Sequence, residues 1–166
     1  MMTDFDQAKR IIKASISCLD VAEKIGFKHD GKGRSSCPFH GGDNPTSFVM
    51  YPIDHRHDGG FYCHSCHVAG DVIGFVMHMK GLTFAQAINW FRDTFNVRLP
   101  EINNISAKDI RKYDRELELR RELYMMSDLV TDLYCRVMED GKTDLVPQCN
   151  GVYERMEQML QTFKRV

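Results

Sequence analysis

The chain has 166 residues, 43 % hydrophobic and 27 % charged, with 22 Lys+Arg against 23 Asp+Glu. That length suits one domain, or a small domain with a helical appendage, and the apolar fraction excludes wholesale disorder. The formal net charge of -1 excludes a protein that coats nucleic acid by bulk positive charge, while leaving room for a local basic patch. No run approaches the roughly 18 apolar residues of a membrane span and the polar start is no signal peptide, so a cytoplasmic protein without membrane partners is expected.

Residues 1–28 hold two short helical patterns. Phe5, Ala8, Ile11 and Ile12 recur at helical spacing with Asp4 as a cap, and Ile16, Leu19, Val21, Ala22 and Ile25 run up to Gly26, a natural helix stop. Residues 29–70 are rich in Gly, Pro, Asp and His. Short alternating runs at 47–51 and 61–62 predict strands, with Asp30-Gly31 and Asp58-Gly59 as turns. Helix returns over 71–96, first with Val72, Ile73, Phe75, Val76 and Met79, then with Phe84, Ala87, Ile88, Trp90, Phe91 and Phe95. Gly81 breaks the two and Thr83 is the N-cap of the second. After Pro100, residues 106–139 carry Leu119, Leu123, Met126, Val130, Leu133 and Val137 as a heptad-like stripe, and Val152, Met156, Met159 and Phe163 repeat it. A linker over 140–150, with Gly141 and Pro147, is expected to fold the second helix back on the first.

Six of the seven histidines and three of the six cysteines lie between His29 and His67. In a reducing compartment such clustering reads as metal ligation before it reads as disulfides. Cys37-Pro-Phe-His40 and Cys63-His-Ser-Cys66 are two-ligand knuckles, each with two intervening residues, separated by 22 residues. Three thiolates and one imidazole fill the tetrahedron of a closed, structural zinc site, which leaves no position for a catalytic water. His40 is favoured as the fourth ligand because it alone keeps the spacing from Cys37; His64 and His67 flank the second knuckle, and His55 and His57 lie between the knuckles. Cys18, Cys135 and Cys149 read most simply as small buried hydrophobes. The fold class is thus α+β, a zinc ribbon with a small antiparallel sheet flanked by helices over 1–100, then a C-terminal helical hairpin over 101–166.

These residues resemble the zinc-binding domain of bacterial DnaG-type DNA primases, a Cys-His-Cys-Cys zinc ribbon. Asn44-Pro-Thr-Ser-Phe48 is similar to that family's Pro-Ser-Phe strand with one inserted residue, and Ala69-Gly-Asp-Val-Ile-Gly-Phe-Val-Met77 is similar to its Gly-Gly-Asp-x-Ile-x-Phe-Val segment. The resemblance covers roughly residues 5–100 and includes the leading helices and the closing helix at 83–88. Two departures stand out: a polar insert at 54–60, and the expectation that the 66 residues after Pro100 are too few for the family's polymerase domain. Asp4-Phe-Asp6 imitates a metal-binding pair, but helix capping is the better reading. The resemblance implies a DNA-binding half that, lacking the chemistry itself, helps choose start sites and supports primer synthesis and DNA replication with a separate catalytic subunit.

The charge divides as net +1 over 1–100 and net -2 over 101–166. Lys28, Lys32 and Arg34 gather before the first knuckle and Arg56 lies on the insert. With the aromatics Phe39, Phe48, Tyr51, Phe61 and Tyr62 interleaved, a basic edge beside ring faces suits single-stranded DNA held without base-pair readout. Of these, Lys28, Lys32, Arg34, Tyr51, Arg56 and Tyr62 are the candidate contacts; the alternative is that all five aromatics pack the ribbon. Phe48 is expected in the core and Tyr51 outside. A second functional reading makes the ribbon a scaffold whose Met-rich helical tail docks on and regulates a replication protein, such as a polymerase subunit or helicase. The methionines are better read as the core of an intramolecular hairpin, with a homodimer through the C-terminal helices as a further expectation. A bacterial, phage or mobile-element origin is the expectation for such a chain.

Overall fold

The structure, a computed structural model, describes residues 3–54, 58–102 and 105–164, the side chains at 143, 157 and 160–164 excepted. Helix α1 (Asp4–Ser15) starts at Thr3, whose side chain accepts from the Asp6 N–H. The cap is therefore Thr3 rather than Asp4, and Asp4 and Asp6 occupy the first turn, where the helix dipole favours them. Helix α2 (Cys18–Ile25) opens with a Ser17–Asp20 capping box and ends at Gly26 in the left-handed region.

Four strands follow, β1 (Arg34–Ser35), β2 (Phe48–Met50), β3 (Phe61–Cys63) and β4 (Ala69–Gly70), each antiparallel to the next in the order 1-2-3-4. Register sorts the side chains into two faces. Arg34, Val49, Tyr62 and Ala69 align across one; Ser35, Phe48 and Cys63, with Met50, Phe61 and Gly70, align across the other. The second face is the core side. Phe48 and Phe61 are fully buried there against Phe75, with ring centroids 5.4–6.1 Å apart, and each such ring contributes roughly 1.5–3 kcal/mol by burial. Gly70 is required at this spot, since a Cβ would stand 2.6 Å from the Phe61 ring.

Helix α3 (Val72–Lys80) is capped by Asp71 and stopped by Gly81; α4 (Phe84–Phe95) is capped by the expected Thr83, boxed with Gln86. Val72, Ile73, Phe75 and Val76 of α3 and Phe84, Ala87, Ile88 and Phe91 of α4 are buried, as the apolar periodicity predicts.

Helix α5 (Ala107–Glu139) is followed by a 3-10 turn (Thr143–Leu145) and α6 (Val146–Lys164). The chain divides into two compact units, 1–118 and 119–166, with the division inside α5. In the first unit, Tyr113 is 1 % exposed and donates to the Asp71 carboxylate at 2.7 Å, while Lys9 pairs with Glu116. In the second, Gly141 ends α5 and the Lys142 N–H donates to the Val137 carbonyl. The expected linker over 140–150 is shorter than its composition suggests, because α6 starts at Val146. Pro147 sits in its first turn, where a missing N–H costs no intrahelical bond.

Candidate metal centre and nucleic-acid face

The pairing of β2 with β3 puts Phe48 opposite Cys63, which draws the second knuckle toward the loop that carries the first. Cys63 ends β3 and Cys66 lies in the turn to β4, closed by Cys63 N–H to Val68 carbonyl and His67 N–H to Cys63 carbonyl, both 2.9 Å. That turn demands a left-handed residue, and His67 supplies it at φ 57°. The His64 N–H donates to the Ser47 carbonyl at 2.8 Å, tying the turn to the start of β2.

Cys37, His40, Cys63 and Cys66 converge with their ligand atoms within 4.8 Å of one another. Cys37 Sγ stands 4.0 Å from Cys66 Sγ, and Cys63 Sγ stands 3.8 Å from His40 Nδ1. Bonds of about 2.3 Å to a tetrahedral centre subtend an edge of about 3.8 Å, so the spacing fits one structural zinc. Burial pushes the Cys37 thiol up to about 11, against the pull of the Phe39 and His40 amides. Burial also pushes Cys63 up, but the Cys66 and Ser65 amides outweigh it and hold that thiol below its ordinary value. Each knuckle therefore aims backbone N–H groups at its leading sulfur, which suits thiolate ligands around a cation. His40 is exposed while Cys37 and Cys63 are buried. Gly42 makes room for its ring, since a Cβ there would collide with Nε2.

The other described histidines have different work. His29 Nδ1 accepts from the Gly31 N–H at 3.2 Å, His67 Nδ1 bonds the Tyr62 hydroxyl at 2.7 Å, His64 lies edge-on to the Tyr62 ring, and His78 lies against Phe39. His55 and His57 fall outside the described residues.

Among the expected DNA contacts, Lys28, Lys32 and Arg34 are all exposed. They sit on one loop organised by Asp30, whose carboxylate accepts from the Lys32 and Arg34 N–H groups at 2.8 and 2.9 Å. The Arg34 amide holds the Asp30 carboxyl below its usual range against desolvation, helped by the Lys32 amide and the charges of Arg34 and Lys32. Tyr51 is half-buried, not fully outside as expected. Tyr62 is a correction: it is 0 % exposed, with its hydroxyl on His67, so its ring offers no face to a base. Arg56 lies outside the described residues. Phe48 and Phe61 are core and Phe39 packs beside them, so the ring platform expected from the interleaved aromatics is largely internal. Cys18 and Cys149 are buried as expected, whereas Cys135 is exposed because it faces away from the hairpin.

Sequence reasoning did not single out Asp71 as a hub, although it stands in a recognisable segment. It is 2 % exposed, caps α3 through the Ile73 and Gly74 N–H groups, accepts from Tyr113 and lies 3.7 Å from Lys13 Nζ. No described helix is long and apolar enough to cross a membrane.

A family profile described as the CHC2 zinc finger of the DnaG zinc ribbon matches residues 6–107. The DNA primase of Chlamydia trachomatis is 31 % identical over 120 residues, covering 68 % of this chain and 19 % of that protein. That of Clostridium acetobutylicum is 34 % identical over 98 residues, covering 57 % of this chain and 15 % of its own length. The Gene 58 protein of Mycobacterium phage D29 is 40 % identical over 52 residues, 31 % of this chain and 36 % of that protein. The chain thus spans less than a fifth of the primases it matches. No solved structure gives a significant match.

Proposed function

We propose, from the premise that this chain belongs to the CHC2 zinc-finger family of DnaG primases, that it binds single-stranded template DNA and supports primer synthesis in the cytoplasm with a polymerase subunit as partner. The observation that carries this reading is the sheet's own division of labour. One face is packed by Phe48, Met50 and Phe61; the other opens at its β1 edge on the exposed Arg34, next to the exposed Lys32 and Lys28. The zinc tetrahedron holds that face together by joining the β1–β2 loop to the β3–β4 turn.

Three cations and one half-buried ring make a weak, salt-sensitive site. Single strands release about 0.7 counterion per phosphate contact, so three contacts give a salt slope of about -2. Tyr51, on the same side as Val49 by strand alternation, offers a half-buried ring for stacking, worth about 1–3 kcal/mol per base. Exposed His64 beside Tyr62 adds a polar ring to that face.

The test is fluorescence anisotropy with a labelled oligonucleotide over a salt series, comparing the zinc-loaded chain with its Lys32→Ala, Arg34→Ala double variant. Weaker binding and a slope flattened to about -0.7 are expected; unchanged affinity and slope would remove this patch from the account.

A further inference from the structure

We propose that this chain forms a homodimer in which two C-terminal hairpins pack face to face as a four-helix bundle. On α5, Leu123 and Val137 are 3 % and 7 % exposed and Val130 is half-buried, so this seven-residue series faces inward. Leu119, Met126 and Leu133 form a second seven-residue series, 42–52 % exposed, with Leu129 beside it at 68 %. Helix α6 repeats the pattern: Met156 is 3 % exposed, while Val152 and Met159, seven residues apart, are 46 % and 52 % exposed.

Four of the six exposed residues precede an inward one by four positions, 119 to 123, 126 to 130, 133 to 137 and 152 to 156. That offset turns the exposed series about 40–60° around each helix in the same sense. Helices α5 and α6 run antiparallel, with Val130 and Tyr134 lining one cavity with Tyr153 and Cys149, and the same sense on both puts the exposed series on one side of the hairpin. The result is a single apolar face built from both helices, with a coiled-coil repeat on each.

A second copy of the chain fits this face on three counts. Its repeat matches, as interdigitating heptads require, and a two-fold axis makes one patch self-complementary. The area suffices: taking about 200 Å2 for a large apolar residue, the six exposures amount to about 600 Å2 per copy and about 1,200 Å2 per dimer, the lower bound of a specific interface. The charge permits it, since residues 119–166 carry net -1, leaving little repulsion between copies. An axis at Met126 sets Leu119 of each copy against Leu133 of the other.

Sedimentation equilibrium of the full zinc-loaded chain tests this. Twice the 19.2 kDa of one chain is expected at concentrations up to about 100 µM. The Met126→Glu, Leu133→Glu variant should dissociate at least 100-fold more readily, with zinc content and helical circular dichroism unchanged, because both positions are exposed in the monomer. If that variant loses helix, Leu129→Lys replaces it, with the same expectation. A wild-type chain that stays at 19.2 kDa overturns the proposal and gives the face to another protein; a folded variant that dimerises as well as wild type overturns it too.

Discussion

At the scale of single residues, the zinc ligands were legible because knuckle spacing is a local rule: two intervening residues let neighbouring side chains reach one ion. That rule picked His40 out of seven histidines, and the structure puts its Nδ1 among the three sulfurs. What spacing could not reveal is the support. Gly42 stands where the His40 ring passes, a close approach that depends on how the loop folds. Replacing Cys63 by Ser should release zinc and unfold the ribbon, since a structural zinc contributes folding energy outright. Metal content by atomic absorption and a thermal melt check this; one zinc per chain retained in the variant would overturn the ligand set. Gly42→Ala should spare the fold but weaken zinc retention against a chelator, as the ring is pushed off its position. The Asp6–Lys112 pair, 3.0 Å apart, gives a pH signature. Burial pushes the Asp6 carboxyl up, but bonds from Lys112 and Thr3 outweigh it and hold it low; Asp6 raises Lys112. Asp6 therefore stabilises above about pH 4 and loses this as pH falls through its lowered folded value, while the Lys112 contribution is present below about pH 10.5 and lost above it. Lys112 is half exposed, so the pair contributes no more than about 0.5 kcal/mol. Urea denaturation should find Lys112→Ala weaker by that amount at pH 7 and equal to wild type near pH 2.

At the scale of elements, helices were read well and strands less so. The apolar periodicity of α1 to α4 extends over 8–12 residues and is backed by caps, so local chemistry suffices. Strands β1 and β4 are two residues each, too short for alternation to register, and exist because β2 and β3 offer them partners. The same shortness misled the reading of Tyr62. All three residues of β3 are buried, because His67 closes over the outer face where alternation left a ring exposed. Helix α5 carries a contact no motif announced. Tyr113 reaches the buried Asp71, which also holds the first turn of α3, so the start of α5 is stitched to the segment that follows the second knuckle. Tyr113→Phe removes one donor from that carboxylate and should cost about 1–3 kcal/mol. Differential scanning calorimetry checks this, with zinc content unchanged; an unaltered melting profile would show that Asp71 is satisfied without Tyr113.

At the scale of the whole molecule, the near-neutral composition separates into parts of different character. A near-neutral average conceals an exposed basic loop beside a sheet edge, and a tail that carries a second, exposed apolar stripe. The relatives are DNA primases of which this chain matches less than a fifth, so the activity of the whole proteins is not carried over to it by the likeness. Under the proposed function, the zinc-held sheet grips single-stranded DNA through a few cations. The measurement that tests it most directly is titration of the zinc-loaded chain into a labelled single-stranded oligonucleotide at several salt concentrations, with a zinc-stripped sample in parallel. Weak binding at low salt, a log–log slope of about -2, and loss of binding with the metal are expected. No binding at low salt with the zinc in place would contradict it.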